Sequence, residues 1–325
     1  MIVPEFWAEG RIKARLDDRQ VTVRRFGWSD ISQEEAQAHA DERAKAALKE
    51  IAAGEMVEKY EPKMAYNGAE GVPIREEILA RHGEAVITRN LYGARCLNTP
   101  DVLFADVDFG QSVPLKLSCS VYLTLVAVAT ALGLWQGSIK VTVISLLIAL
   151  VVGSPLALLL FRLYEKATGG PRERAHQRIH QFSRQHPDWH LRVYETPKGL
   201  RVLVMHTTFG ARDEVVQHFF EALDADPIYV RMCRNQHCFR ARLSPKPWRI
   251  GIREHIRPRP GYWPVKPEHL PARHRWIAAY EAKAQGYAAC RFLERLGSSH
   301  VHPTADALRI IHDELCQANT TLKLA

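Results

Sequence analysis

The apolar residues of this chain follow three rhythms. In SDISQEEAQAHADERAKAALKEIAAG, Ser29 to Gly54, alanines recur at helical spacing, Ser32 and Glu35 stand as a capping box, and Gly54 supplies a stop. That pattern predicts one amphipathic helix with a small packing face. From Ala85 the period shortens to two: AVIT, TRNLYGARCLN and DVLFADVDF read as strands. In the last of these Val102, Phe104, Asp106 and Asp108 share one face, with Leu103, Ala105, Val107 and Phe109 on the other. WHLRVYETPKGLRVLVMH gives two alternating runs joined by a Thr-Pro-Lys-Gly turn, hence a β-hairpin. ARDEVVQHFFEALDAD then carries Val215, Val216, Phe219, Phe220 and Leu223 as a helical stripe. Together these predict an α+β domain, an antiparallel or mixed sheet backed by helices, closed by helices over Ala272–Leu296 and Thr304–Ala318.

The third rhythm is the absence of any polar face. Leu117 to Trp135 and Val141 to Phe161 hold no charged residue, and each approaches the roughly 20 residues that a helix needs to cross a bilayer. Only QGSIK joins them, so the pair predicts an antiparallel transmembrane hairpin. Arg162, Lys166, Arg172, Arg174 and Arg178 follow the second span, whereas the loop offers Lys140 alone. Because basic residues are retained on the cytoplasmic side, the expectation is a two-pass protein of the inner membrane with both termini cytoplasmic. Residues on either side of the hairpin then share a compartment, and LFADVDF and LRVLVMH can lie in one sheet. The predicted organisation is an N-terminal helical region (1–84), a first part of the α+β domain (85–114), the membrane hairpin (115–164), a second part (165–230), a basic proline-rich segment (231–271) that is extended over Pro245–Pro271, and C-terminal helices (272–325).

Composition narrows the function classes. The 325 residues carry a formal charge of +8, which favours acidic partners: nucleic acid, nucleotides or an anionic lipid surface. Six dispersed cysteines do not form the dense framework of a small secreted scaffold, so reduced thiols are expected. The first residues, MIVPEFWAEGRIKARLDD, lack the apolar run of a cleavable signal peptide, which leaves targeting to the internal hairpin.

Three features bear on chemistry. Asp106 and Asp108, two apart at a strand end, are spaced to share a Mg²⁺ or Mn²⁺ ion, although D-x-D also simply ends many strands. Arg240, Arg242, Lys246 and Arg249, interleaved with Phe239 and Trp248, suit phosphates and stacked bases; a basic collar against lipid headgroups is the equal alternative. Cys233, His237 and Cys238, with His255, lack the paired spacing of structural zinc sites and read as packing residues. His300 and His302 read as surface histidines. The sequence contains no Walker loop, nucleophile elbow or dinucleotide fingerprint.

In order and residue type, ITRNLYGARCLNTPDVLFADVDF, then YETPKGLRVLVMH, the helix and the basic stretch resemble the catalytic core of archaeo-eukaryotic primases and primase-polymerases. The resemblance covers about 85 to 230 without the hairpin. It implies an RNA-recognition-like sheet and metal-dependent nucleotidyl transfer, with Asp106 and Asp108 as catalytic metal ligands for Mg²⁺ or Mn²⁺. Thr196, Lys198 and Gly199 match the turn that would hold the incoming nucleoside triphosphate. Where the family has a histidine, near Leu200 to Val202, this chain has Arg201, and His206 lies further on. Asp224 or Asp226 would supply the third acid, Asp226 being the choice as a metal ligand. Arg240, Arg242, Lys246, Trp248 and Arg249 would then hold a polynucleotide. A membrane-tethered module that binds nucleic acid or nucleotides without catalysis, and a structural membrane protein with a lipid-facing basic collar, are the alternatives.

Overall fold

The computed structural model describes residues 3–16, 19–60, 73–109, 113–259 and 263–325; residues 260–262 of the proline-rich segment lie outside that set. The chain divides into two compact units, Met1–Val107 with Phe182–Ala325, and Asp108–Gln181.

The first unit opens with a feature that the sequence reading missed. Where a helical region is predicted, β1 (Phe6–Leu16) and β2 (Arg19–Ser29) form a long antiparallel hairpin ahead of α1 (Gln33–Ala52). The alternation was there, with Val21, Val23, Arg25 and Gly27 buried in turn, but arginines interrupt it. Arg25 is tolerated inside because its guanidinium donates to the carbonyls of Arg24, Glu58 and Lys59. The helix itself forms as expected, with Ser32 accepting from the Glu35 amide at its N-cap. Its buried face is all alanine, Ala36, Ala40, Ala44 and Ala47. Gly10 and Gly27 let the hairpin lie directly on that face, since a Cβ at either would overlap the backbone at Ala40.

Two four-stranded sheets follow in the same unit. One orders β3 (Glu77–His82), β4 (Ala85–Arg89), β5 (Arg95–Thr99) and β9 (Phe239–Arg242), each pair antiparallel. The other contains β6 (Phe104–Asp108), β7 (His190–Thr196), β8 (Gly199–Val204) and β11 (Arg291–Gly297), in the order β11-β7-β8-β6. Thus β6 and β8, separated in sequence by the apolar helices, lie in one sheet as expected, and they are neighbours in it. The Val204 amide donates to Leu103 while Arg201 pairs with Asp106, so the two strands run antiparallel. Helix α5 (Glu214–Leu223) buries Val216, Phe219, Phe220 and Leu223. Phe219 stacks on Trp189, and Phe182 meets its edge at 5.0 Å.

Within Pro245–Pro271, expected to be extended, the described residues ahead of Leu270 include two short 3₁₀ turns, Pro247–Ile250 and Pro267–His269. The basic residues before that stretch fall on α6 (Pro227–Gln236) and β9, because Asp226 caps the helix at Pro227 and His237 ends it in the left-handed conformation. One prediction about the C-terminal third needs correction. The helix expected over Ala272–Leu296 is α7 (Leu270–Ala284), after which the chain becomes β10 (Tyr287–Ala288) and β11. RFLERLG is helix-compatible by composition, but pairing with β7 decides its conformation. Helix α8 (Pro303–Cys316) and β12 (Lys323–Leu324) complete the unit.

The second unit contains α2 (Leu115–Trp135), α3 (Ile139–Ala167) and most of α4 (Gly170–Gln185). At 21 and 29 residues, α2 and α3 are long and apolar enough to cross a membrane; at 1.5 Å per residue they extend roughly 31 and 43 Å. They are not core helices, for only 17% of each apolar window is buried and Leu134, Trp135, Leu150 and Val151 are largely exposed. Small residues line their mutual contact: Ala129, Gly133, Ala149, Gly153 and Ala157 are buried. A side chain at Gly133 would overlap Thr142, and one at Gly153 would overlap the Tyr122 ring. Tyr122 and Ser154 share a 2.7 Å hydrogen bond across the pair.

Candidate functional site

Asp106 projects from β6 as the alternation predicts, and Asp108 ends the strand exposed. Arg201 lies across from Asp106 on β8. Its Nε and Nη2 donate to the two carboxylate oxygens at 2.8 and 3.1 Å, a bidentate pair. The two partners differ in exposure: the Arg201 side chain is 2% exposed and that of Asp106 31%. Burial alone would lower the Arg201 pKa, but the charge of Asp106 and its hydrogen bonds outweigh that and raise it. Nη1 donates to the Arg242 carbonyl at 2.9 Å and faces His312 Nε2 at 3.3 Å. From there the polar chain continues: His312 Nδ1 meets Asp313 at 2.9 Å, and Arg192 donates to Asp313 and to the Tyr194 hydroxyl. Asp106 therefore terminates a buried charge network that ties β6, β8, β7 and α8 together.

Asp226 is close to this node by its backbone, with different duties. Its amide donates to the Asp106 carbonyl at 3.0 Å, and the Tyr229 hydroxyl donates to the Phe104 carbonyl at 2.9 Å. β6 is the edge strand, so these two bonds satisfy outward carbonyls that would otherwise be open. The Asp226 carboxylate accepts from the Ile228 amide as the α6 cap. Asp224 ends α5 in the left-handed conformation. Among the described residues, no group of three metal-ligating side chains includes Asp106, Asp108 and Asp226.

Lys198 is exposed at the tip of the β7–β8 turn, and buried Gly199 opens β8 beside it. Arg201 is two residues further along, so turn and Asp106 share one end of the strand. His206 lies five residues beyond Arg201, roughly 15 Å along an extended chain. It packs against Trp189 and Phe209 and accepts from the His190 amide, far from the carboxylate. Burial pulls the His206 pKa down, and the same holds for His190.

The five predicted nucleic-acid contacts also part company. Arg240 points inward, with Nη2 at 2.8 and 2.7 Å from the two oxygens of buried Glu76. Arg242 gives its carbonyl to Arg201. Trp248 is instead 54% exposed, with Lys246 Nζ 5.4 Å from its ring centre and Tyr92 edge-on at 5.2 Å. Arg253, Arg257 and Arg259 are exposed further along the same segment.

The chain matches no family model, no curated protein and no solved structure. The primase-like reading accordingly rests on the motifs themselves.

Cys233 and Cys238 are buried packing residues as the spacing suggested, whereas His237, read with them as a packing residue, is exposed and closes α6. A different trio goes unremarked in the sequence: Cys290, His312 and Cys316 are all buried, with ligand atoms all within 4.8 Å of one another. The signal was local, H-x-x-x-C on α8 putting His312 and Cys316 on one helix face.

Proposed function

We propose that this protein is a non-catalytic, membrane-tethered module that binds single-stranded nucleic acid through the Trp248 segment. The observation that carries this reading is the Asp106–Arg201 pair, because a carboxylate held bidentately by a buried guanidinium has its oxygens committed before any metal arrives. The platform is Trp248: an exposed aromatic beside Lys246, followed by exposed arginines, offers stacking and phosphate contacts together. In this reading the two apolar helices anchor the protein in the inner membrane with both termini cytoplasmic, a topology supported by the excess of basic residues after α3 over the single Lys140 in the loop between them.

Fluorescence anisotropy of labelled single strands against full-length protein in nanodiscs tests this. Binding should weaken steeply with salt, and Trp248→Ala should cost about 1–3 kcal/mol, the worth of one stacked base. Binding that ignores both salt and Trp248 refutes it.

A second reading draws on the position of Asp226, whose amide contacts Asp106. Metal-dependent nucleotidyl transfer would require triphosphate and Mg²⁺ or Mn²⁺ to draw Arg201 away from Asp106, with Lys198 and Gly199 at the triphosphate. Incorporation of labelled nucleotide in the presence of Mn²⁺ would favour it.

A further inference from the structure

We infer that Cys290, His312 and Cys316 form a binding site for a thiophilic divalent cation, zinc by its donor set, buried behind the Asp106–Arg201 pair. Cys290 stands between β10 and β11, and backbone bonds clamp that connection to the end of α8: Ala289 N donates to Cys316 O, and Phe292 N to Ala318 O, each at 2.9 Å. Gln317, left-handed at φ 55°, turns the chain so that both bonds form.

The separations suit a tetrahedral ion. With Zn–S near 2.3 Å and Zn–N near 2.0 Å at tetrahedral angles, S···N is about 3.6 Å and S···S about 3.8 Å. The Cys290 Sγ to His312 Nε2 distance is 3.8 Å, and all three ligand atoms lie within 4.8 Å of one another. The imidazole is oriented as metal sites require, Nδ1 held at 2.9 Å by the Asp313 carboxylate and Nε2 facing the sulfurs. Arg192 in turn holds Asp313 at 2.9 Å.

Charge closes as well. Binding would displace the two thiol protons to solvent, and two thiolates neutralise one divalent cation while His312 stays neutral. The facing charges are already paired, Arg201 with Asp106 and Arg192 with Asp313. Arg201 Nη1 now donates to the Nε2 lone pair that the ion would take, and it retains the Arg242 carbonyl when displaced. The same carbonyl lies 3.5 Å from Cys316 Sγ and is the oxygen at hand for a fourth position. Asp313 borders an open cleft with Arg95, Arg309 and Glu314, which offers a path inward.

Tag-free full-length protein, purified in detergent without chelator, decides the matter by elemental analysis. About one zinc per chain is expected, falling to less than a tenth in Cys290→Ser/Cys316→Ser. X-ray absorption at the zinc edge of the unaltered protein removes dependence on a variant that fails to fold: it should show two sulfurs near 2.3 Å with nitrogen and oxygen completing the shell. Protein free of metal that takes up no Co²⁺ with a thiolate charge-transfer band, a zinc shell without sulfur, or a Cys290–Cys316 disulfide in metal-free protein each overturns the proposal.

Discussion

Replacing Asp106 by alanine separates a structural carboxylate from a catalytic one. Arg201 would stay 2% exposed with its charge unpaired, keeping only the Arg242 carbonyl and His312 as acceptors. Breaking a buried pair from one side costs about 3–5 kcal/mol; the partial exposure of Asp106 and those remaining acceptors reduce this to roughly 2–4 kcal/mol. Six of the seven tryptophans lie in the first unit, so urea unfolding of nanodisc-held protein followed by their fluorescence reports on this domain. With a denaturant slope of about 2–3 kcal/mol per molar, the midpoint should fall by roughly 1 M. Arg201→Met added to Asp106→Ala removes the stranded charge, so the double variant should be less destabilised than the sum by at least about 1.5 kcal/mol. A single variant within about 0.5 kcal/mol of the parent, or additive behaviour in the cycle, would refute a structural role for the pair.

Other outcomes follow from neighbouring features. His190 and His206 have pKa values lowered chiefly by burial, so the unfolded chain binds more protons than the folded one below the ordinary value of 6.5; stability present above that pH is lost as pH falls through the depressed values. Urea midpoints measured from pH 7.5 to 5 should show this loss, and His190→Gln with His206→Gln should flatten it; an identical slope in the variant would exclude these residues. Gly153→Leu drives a side chain into Tyr122, so the hairpin should open, read as a lowered melting temperature in detergent and loss of cross-linking between cysteines introduced on α2 and α3; unchanged cross-linking would count against the small-residue contact. Glu76→Gln leaves buried Arg240 without its counter-charge and should destabilise by about 2–3 kcal/mol without affecting single-strand binding; a selective loss of binding would return Arg240 to the interface.

The two long apolar helices and the sharing of one sheet by β6 and β8 were legible because each depends on one-dimensional pattern: unbroken apolar runs, and period-two alternation around a turn. The β1–β2 hairpin was not, since Arg24, Arg25 and the charges of β1 look like solvated polarity until backbone carbonyls of Glu58 and Lys59 are seen to receive Arg25. β11 was missed for a related reason: nothing in RFLERLG opposes a helix, and only the adjacent strand β7 selects the extended form. At the candidate site, the alternation located Asp106 and Asp108 correctly, whereas what Asp106 touches depends on Arg201, 95 positions away. A shorter gap was enough to hide the Cys290, His312 and Cys316 group, since Cys290 stands 22 positions before His312 and only the α8 pair is close in the chain.

The most direct test of a non-catalytic role is nucleotide incorporation by the full-length protein in nanodiscs, with primed and unprimed single strands, Mn²⁺ or Mg²⁺, and Asp108→Asn as the control. Asp108 is exposed at the strand end, so that variant should remain folded. Salt-sensitive strand binding with no incorporation above background is the result expected of either protein. Metal-dependent incorporation that disappears in Asp108→Asn would contradict it.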